Sequence, residues 1–230
     1  MKWAIVAIAA MGCGSSRADG VKAAPSDHAP TITVKAIAKD ALCVTKGTVT
    51  DGAITEPTVR GYALGAGGEA AQLTFTYKGE SEKTRELASG EARRQIGLKL
   101  RAQDGCNVVY VMWRLDPLPK IDVSVKLNPG MKTHAECGAN GYTKVKPYKK
   151  TFIPAFEYGK THTLRAEIVD DDLYAWIDGK MLWQGRLPES ARSLSGPAGM
   201  RSDNVQLDIV ELAAPSKEGD LPACKHELGD

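Results

Sequence analysis

Residues 162–185 read HTLRAEIVDDDLYAWIDGKMLWQG, three short strands joined by two tight turns. The first strand places apolar residues at alternate positions, Leu164, Ala166 and Ile168. The second repeats that period at Leu173, Ala175 and Ile177. Side chains alternate across a strand, so each set belongs to one face. Asp178-Gly179 then supplies the dipeptide favoured by a two-residue type I′ hairpin, where both central residues need positive φ. Leu173, Ala175, Ile177 and Leu182 share one face. The other carries Tyr174, Trp176, Met181 and Trp183, with Arg165 and Glu167 from the preceding strand. This segment predicts an antiparallel all-β protein. If its aliphatic face is core, its aromatic face is open to a ligand or covered by a loop from the 128–160 region.

A second hairpin is read around Asp104-Gly105. With a two-residue turn, Gln103 faces Cys106, Arg101 faces Val108 and Lys99 faces Tyr110. Ile96, Leu98, Leu100, Ala102, Val109, Val111 and Trp113 then form a core face. Lys99, Arg101, Gln103, Tyr110, Met112 and Arg114 form the opposite, polar face. Burying one aliphatic side chain is worth roughly 1.5–3 kcal/mol, so a register slip that exposed the first set would be costly. Further strand patterns occur at Thr31–Ile37, Cys43–Val49, Leu73–Tyr77, Ile121–Leu127 and Val205–Leu212, with Gly-containing turns among them. The polar stretch Gly79–Arg94 is read as one helical turn or a long loop. Many short strands with regular turn signals indicate a sandwich or barrel.

The chain of 230 residues carries 30 Lys and Arg against 28 Asp and Glu, a net charge of +2. That balance gives no indication of nucleic acid. Lys144, Lys146, Lys149 and Lys150 form the one dense basic group, read as a solvated loop and strand face rather than a polyanion site. At the start, MKWAIVAIAAMGC has a cation, an apolar run from Trp3 to Ala10 and small residues before Cys13, the order of a bacterial secretory signal. A helix needs roughly 20 apolar residues to span a bilayer, and this run is shorter. Ala10-Met11-Gly12-Cys13 resembles the lipobox of bacterial lipoproteins, which implies cleavage before Cys13 and a lipid on that residue. Gly14 after the Cys implies outer-membrane sorting. The organisation expected is a signal at 1–12, a Gly/Ser/Ala/Pro tether at 13–30, one sandwich at 31–213 and a polar tail at 214–230. Cys43, Cys106, Cys137 and Cys224 remain, and an even count in an exported chain argues for disulfides. Three connectivities are open to them. The preferred one, Cys43–Cys224 with Cys106–Cys137, ties the chain's ends.

IGLKLRAQDGCNVVYVMW resembles the strand–turn–strand of concanavalin A-like lectin/glucanase domains, including laminin-G-like and 3-keto-disaccharide hydrolase-type modules. YGKTHTLRAEIVDDDLYAWIDGKML is similar to their late hairpin, and GPAGMRSDNVQLDIVEL to their closing strands. The matches fall in the expected order across Ile96–Leu212. They imply a two-sheet antiparallel jelly roll whose terminal strands come together.

The glucanase activity does not carry over. Its Glu-x-Asp-x-Glu strand sets carboxylates on one face, and no such spacing occurs here. Asp170-Asp171-Asp172 and Asp203-Asn204 are read as turn chemistry rather than as catalytic or metal groups, and the four dispersed histidines as non-ligands. No metal or other cofactor is expected. Sugar rings stack on Trp and Tyr while Arg, Lys and Gln bond hydroxyls, so the candidate ligand residues are Lys99, Arg101, Gln103, Tyr110, Arg114, Arg165, Tyr174, Trp176 and Trp183. The expectation is a lipid-anchored, extracytoplasmic carbohydrate-binding module without catalytic machinery, on the outer membrane of a bacterial envelope. The alternative is a structural lipoprotein that docks an envelope partner, and after it a polysaccharide lyase or hydrolase.

Overall fold

A computed structural model of the chain describes Met1 and residues 28–148, 151–217 and 223–224. The signal, Cys13, most of the tether, Lys149, Lys150 and most of the tail lie outside the described residues. Fourteen strands are described: β1 (Lys35–Ala36), β2 (Leu42–Lys46), β3 (Ala53–Ile54), β4 (Thr58–Ala63), β5 (Ala70–Glu80), β6 (Gln95–Leu100), β7 (Val108–Arg114), β8 (Lys120–Lys126), β9 (Tyr142–Lys144), β10 (Thr161–Val169), β11 (Asp172–Ile177), β12 (Lys180–Arg186), β13 (Gly199–Asp203) and β14 (Val205–Ala214). One short helix, α1 (His134–Cys137), lies between β8 and β9. All pairings between these strands are antiparallel.

The strands form two seven-stranded sheets. The first runs β1-β14-β5-β10-β11-β12, with β3 also paired to β14. The second runs β2-β4-β13-β6-β7-β8-β9. The fold is the two-sheet antiparallel jelly-roll sandwich that the sequence predicts.

The alternating apolar residues make the core between the sheets. Ile96, Leu98 and Leu100 stand opposite Trp113, Val111 and Val109, and all six are fully buried. Leu164, Ala166 and Ile168 pair with Ile177, Ala175 and Leu173, so the alternating apolar sets read from sequence share one buried face. Asp178 and Gly179 have φ of +49° and +78°, the signs a type I′ turn demands, and Ile177 pairs Lys180 across them. Asp170 has φ +56° in the turn between β10 and β11. Two disulfides close the structure, Cys43–Cys224 and Cys106–Cys137.

Three local readings are corrected. The ladder between β6 and β7 keeps the expected register, Lys99 opposite Tyr110, but ends at Leu100. Arg101 turns to φ +47°, and the Asp104 carboxylate accepts the Cys106 amide at 2.8 Å, so residues 101–107 form a wider loop than a two-residue turn. Ala102 therefore leaves the core and joins Val108, Tyr110 and Met112 on the opposite side. In β12 a bulge alters the pairing: Trp176 faces Met181, yet Ala175 faces Trp183. The extra residue swings Trp183 into the core, away from Trp176. Finally, only Lys35–Ala36 of the expected strand at 31–37 pairs as a strand. The preceding residues serve another purpose, described below.

Candidate functional site

The outer face of the second sheet is built from register. Directly paired residues share a face. One row therefore runs Lys46, Arg60, Arg201, Gly97, Met112 and Asp122 across six strands. A second runs Thr58, Asp203, Gln95, Arg114 and Lys120. A third runs Tyr62, Gly199, Lys99, Tyr110, Ser124 and Lys144. Because β6 and β7 turn their aliphatic side chains inward, these polar chains must all point outward. Arg60, Gln95, Tyr110, Met112, Ser124 and Arg201 among them floor a groove of about 440 Å³. Gly97 keeps that floor low: a Cβ there would sit 2.5 Å from the Met112 sulfur, which lies over it.

Asp203 is the electrostatic centre. Its carboxylate accepts Arg60 Nη2 at 2.5 Å, Gln95 Nε2 at 2.6 Å and Arg201 Nε at 2.9 Å, and it is 1 % exposed. Burial opposes its ionisation, but the Arg201 and Arg60 guanidiniums outweigh burial and hold its carboxyl down at about 2. Asp122 repeats the arrangement: it accepts Arg114 Nη1 at 2.7 Å and Lys144 Nζ at 2.8 Å. Burial again opposes ionisation, and Lys144 and Arg114 keep the carboxyl below its ordinary range. Arg201 lies 5.0 Å over the Tyr110 ring, and Tyr142 stacks on Tyr110 at 6.2 Å. Tyr110 is buried floor, whereas Tyr142, 39 % exposed, presents its ring at the groove's edge.

Two loops form the walls, and each is braced. Asn204, at φ +54°, accepts the Arg85 amide at 2.7 Å and donates to the Arg85 and Arg93 carbonyls. This one amide side chain holds both ends of the 85–93 wall. The other wall is α1 and the loop to β9. The Cys106–Cys137 disulfide ties it to the 101–107 loop, and Thr133 with Glu136 forms a capping box at its start. Asn128 bonds the Cys106 and Asn140 carbonyls, and Asn107 bonds the Met131 carbonyl.

Of the ligand residues expected from sequence, the structure brings three to this face: Lys99, Tyr110 and Arg114, all buried, with Tyr110 lining the groove. The others lie elsewhere. Arg101 turns from the sheet to the Glu69 carboxylate at 2.8 Å, and Gln103 is exposed in the 101–107 loop. Trp183 is core. Tyr174, Trp176 and Arg165 are not an open face, because residues 28–32 lie on them. The His28 ring stacks on Tyr174 at 4.1 Å, and Trp176 Nε1 donates to the His28 carbonyl at 3.1 Å. Arg165 donates to the Ile32 carbonyl, and the fully buried Glu167 carboxylate accepts the Thr31 and Ile32 amides. The cover expected from residues 128–160 is instead the entry segment of the domain itself.

Arg60, Gln95, Asp122 and Arg201 had no motif to mark them; of the pair read as turn chemistry, Asn204 does occupy a turn at φ +54°, but Asp203 is a buried carboxylate held by Arg60 and Arg201. The common signal of these residues was a run of mostly polar outward positions, broken by Gly97, Met112 and Gly199, on strands whose inward positions are mostly apolar. Lys144, read as part of a solvated face, reaches Asp122 at the groove. Among the described residues no group of three or more His, Cys, Asp or Glu is arranged to hold a metal ion.

No protein-family model matches the chain, and no curated protein matches it. Solved structures do. The carbohydrate-binding module CBM66 from Bacillus subtilis aligns over 77 % of this chain and 94 % of its own, at 12 % identity and a TM-score of 0.50. A tetrameric galectin from the ball sponge Cinachyrella sp. aligns over 69 % and 99 % at 13 % identity and 0.41. The Caenorhabditis elegans galectin LEC-6 aligns over 73 % and 98 % at 12 % identity and 0.39. The first of these establishes a shared two-sheet fold.

Proposed function

We propose that this protein binds carbohydrate in the groove on the outer face of its second sheet, and that it does so tethered to the bacterial envelope through Cys13. The observation that carries the reading is the groove itself. Gln95, Ser124 and Asp122 line its ordered polar floor, within which hydroxyl groups would bond, and the half-exposed Tyr142 ring stands at its edge for the apolar face of a sugar. A cleft with several convergent polar groups on a rigid scaffold is the ordinary form of a small-ligand site. The fold shared with a carbohydrate-binding module supports the same reading. The two disulfides support export, since such bonds persist in oxidising compartments. Residues 28–32, latched to Glu167, then fix where the tether leaves the domain, on the outer face of the first sheet. The groove opens on the opposite face. An anchored module of this arrangement holds its site away from the lipid attachment.

The test is a glycan array probed with the protein, repeated with Tyr142→Ala. Binding that Tyr142→Ala weakens supports the reading. Silence across bacterial and plant polysaccharides refutes it. For the anchor, labelled palmitate should enter the wild type and not Cys13→Ser.

A further inference from the structure

We propose that the groove selects acidic glycans, those bearing carboxylate or sulfate groups; this rests on the carbohydrate-binding reading and narrows it. The chain as a whole is almost neutral, at +2. The groove is not. Lys46, Arg60, Arg85, Arg93, Lys144 and Arg201 line it, against Glu86 and Asp122, with Asp203 beneath the floor. The pairing deepens the imbalance. Asp203 is shared by Arg60 and Arg201, and Asp122 by Arg114 and Lys144, so each carboxylate serves two cations.

The field this leaves is felt by the neighbours. Burial pushes the Arg93 guanidinium below its ordinary range, and the Arg114 and Arg201 charges add to that push while Asp122 and Asp203 oppose it. Burial also lowers Lys120; Asp122 opposes this, and Arg114, Lys144 and Arg93 each lower it further. Cations crowded this way gain from any anion that enters among them. Lys144 is 58 % exposed at one side of the cleft, and the Arg93 side chain, paired with the exposed Glu91 carboxylate, is 20 % exposed on the opposite wall. A saccharide lying along the floor passes between them. Guanidinium groups match planar carboxylate and sulfate oxygens with paired N–H donors, which neutral hydroxyls do not use as well. An uncharged sugar would use the floor's hydrogen bonds alone and gain nothing from the excess of cations over carboxylates.

The experiment is calorimetric titration of the full chain with three probes: an oligogalacturonate, its fully methyl-esterified form, and a sulfated oligosaccharide. Esterification keeps the sugar backbone and removes the charge. We expect the oligogalacturonate, the sulfated probe or both to bind about tenfold or more tighter than the ester, with affinity falling as salt rises. Which anionic probe binds identifies the anion. R93Q and K144Q should each reduce that preference several-fold, while K160Q, outside the groove, should leave it intact. Both groove side chains reach solvent, so folding is expected to survive and circular dichroism checks it. If the ester binds as tightly as the acid, the acidic selectivity is overturned while carbohydrate binding stands. If no saccharide binds, both readings fail. Tighter binding of a single-stranded oligonucleotide at equal salt also overturns the proposal.

Discussion

Replacing Asp203 with Asn should destabilise the domain by an amount that depends on pH in a specific way. Asp203 joins Arg60, Gln95 and Arg201 at 2.5–2.9 Å in a buried setting. Lowering its carboxyl from 3.8 to about 2 corresponds to roughly 2 kcal/mol of folding free energy at neutral pH. Removing one partner of a buried ion pair costs about 3–5 kcal/mol by mutagenesis, so a loss of ~2–5 kcal/mol is expected for D203N. The sign follows from the depressed carboxyl. The stabilisation is complete above the unfolded-state value near 4 and disappears as pH falls through the folded-state value near 2, with about half gone by pH 3. Urea denaturation of wild type and D203N at pH 7, 5 and 3 measures both features. A gap under about 1 kcal/mol at pH 7, or one unchanged at pH 3, would refute the assignment of Asp203 as the hub of the groove floor.

Other expectations follow from the same contacts. W183A, in the core, should cost about 3–5 kcal/mol in urea denaturation, whereas Y174A, half-exposed under His28, should cost about 1 kcal/mol or less. Glu167→Gln removes one oxygen from the pair that accepts the Thr31 and Ile32 amides, so hydrogen exchange at those amides should speed up while the core amides stay protected. The double variant C106S/C137S opens a loop of sequence separation 31, for which chain entropy gives roughly 4 kcal/mol, and it should also weaken ligand binding by loosening the α1 wall.

The hairpin at Asp178-Gly179 was legible because a two-residue turn and a period of two both act locally. So was the register of β6 on β7, which the paired aliphatic faces fix. Strand β4 was not: Thr-Val-Arg-Gly-Tyr-Ala has one strong apolar residue, and its place depends on β2 and β13 beside it. The bulge at Leu182 was invisible, since a single inserted residue leaves the apolar count of β12 unchanged while moving Trp183 to the other face. The cover over Tyr174 and Trp176 was missed because the residues supplying it, His28 to Ile32, are adjacent to a Gly/Ser/Ala/Pro stretch and carry no strand period. The groove was legible only in part. Tyr110, Lys99 and Arg114 came from the hairpin, but Arg60 and Arg201 sit on two strands brought together by long-range pairing, Arg60 opposite Arg201.

Chemical-shift mapping reads out whether a saccharide binds in this groove. Backbone amide chemical shifts of the isotopically labelled protein would be followed during titration with whichever oligosaccharide binds it. The account predicts shifts concentrated at Gln95, Tyr110, Asp122, Ser124, Tyr142 and Lys144 and across the 85–93 wall. Shifts confined instead to β10, β11 and residues 28–32 would contradict it.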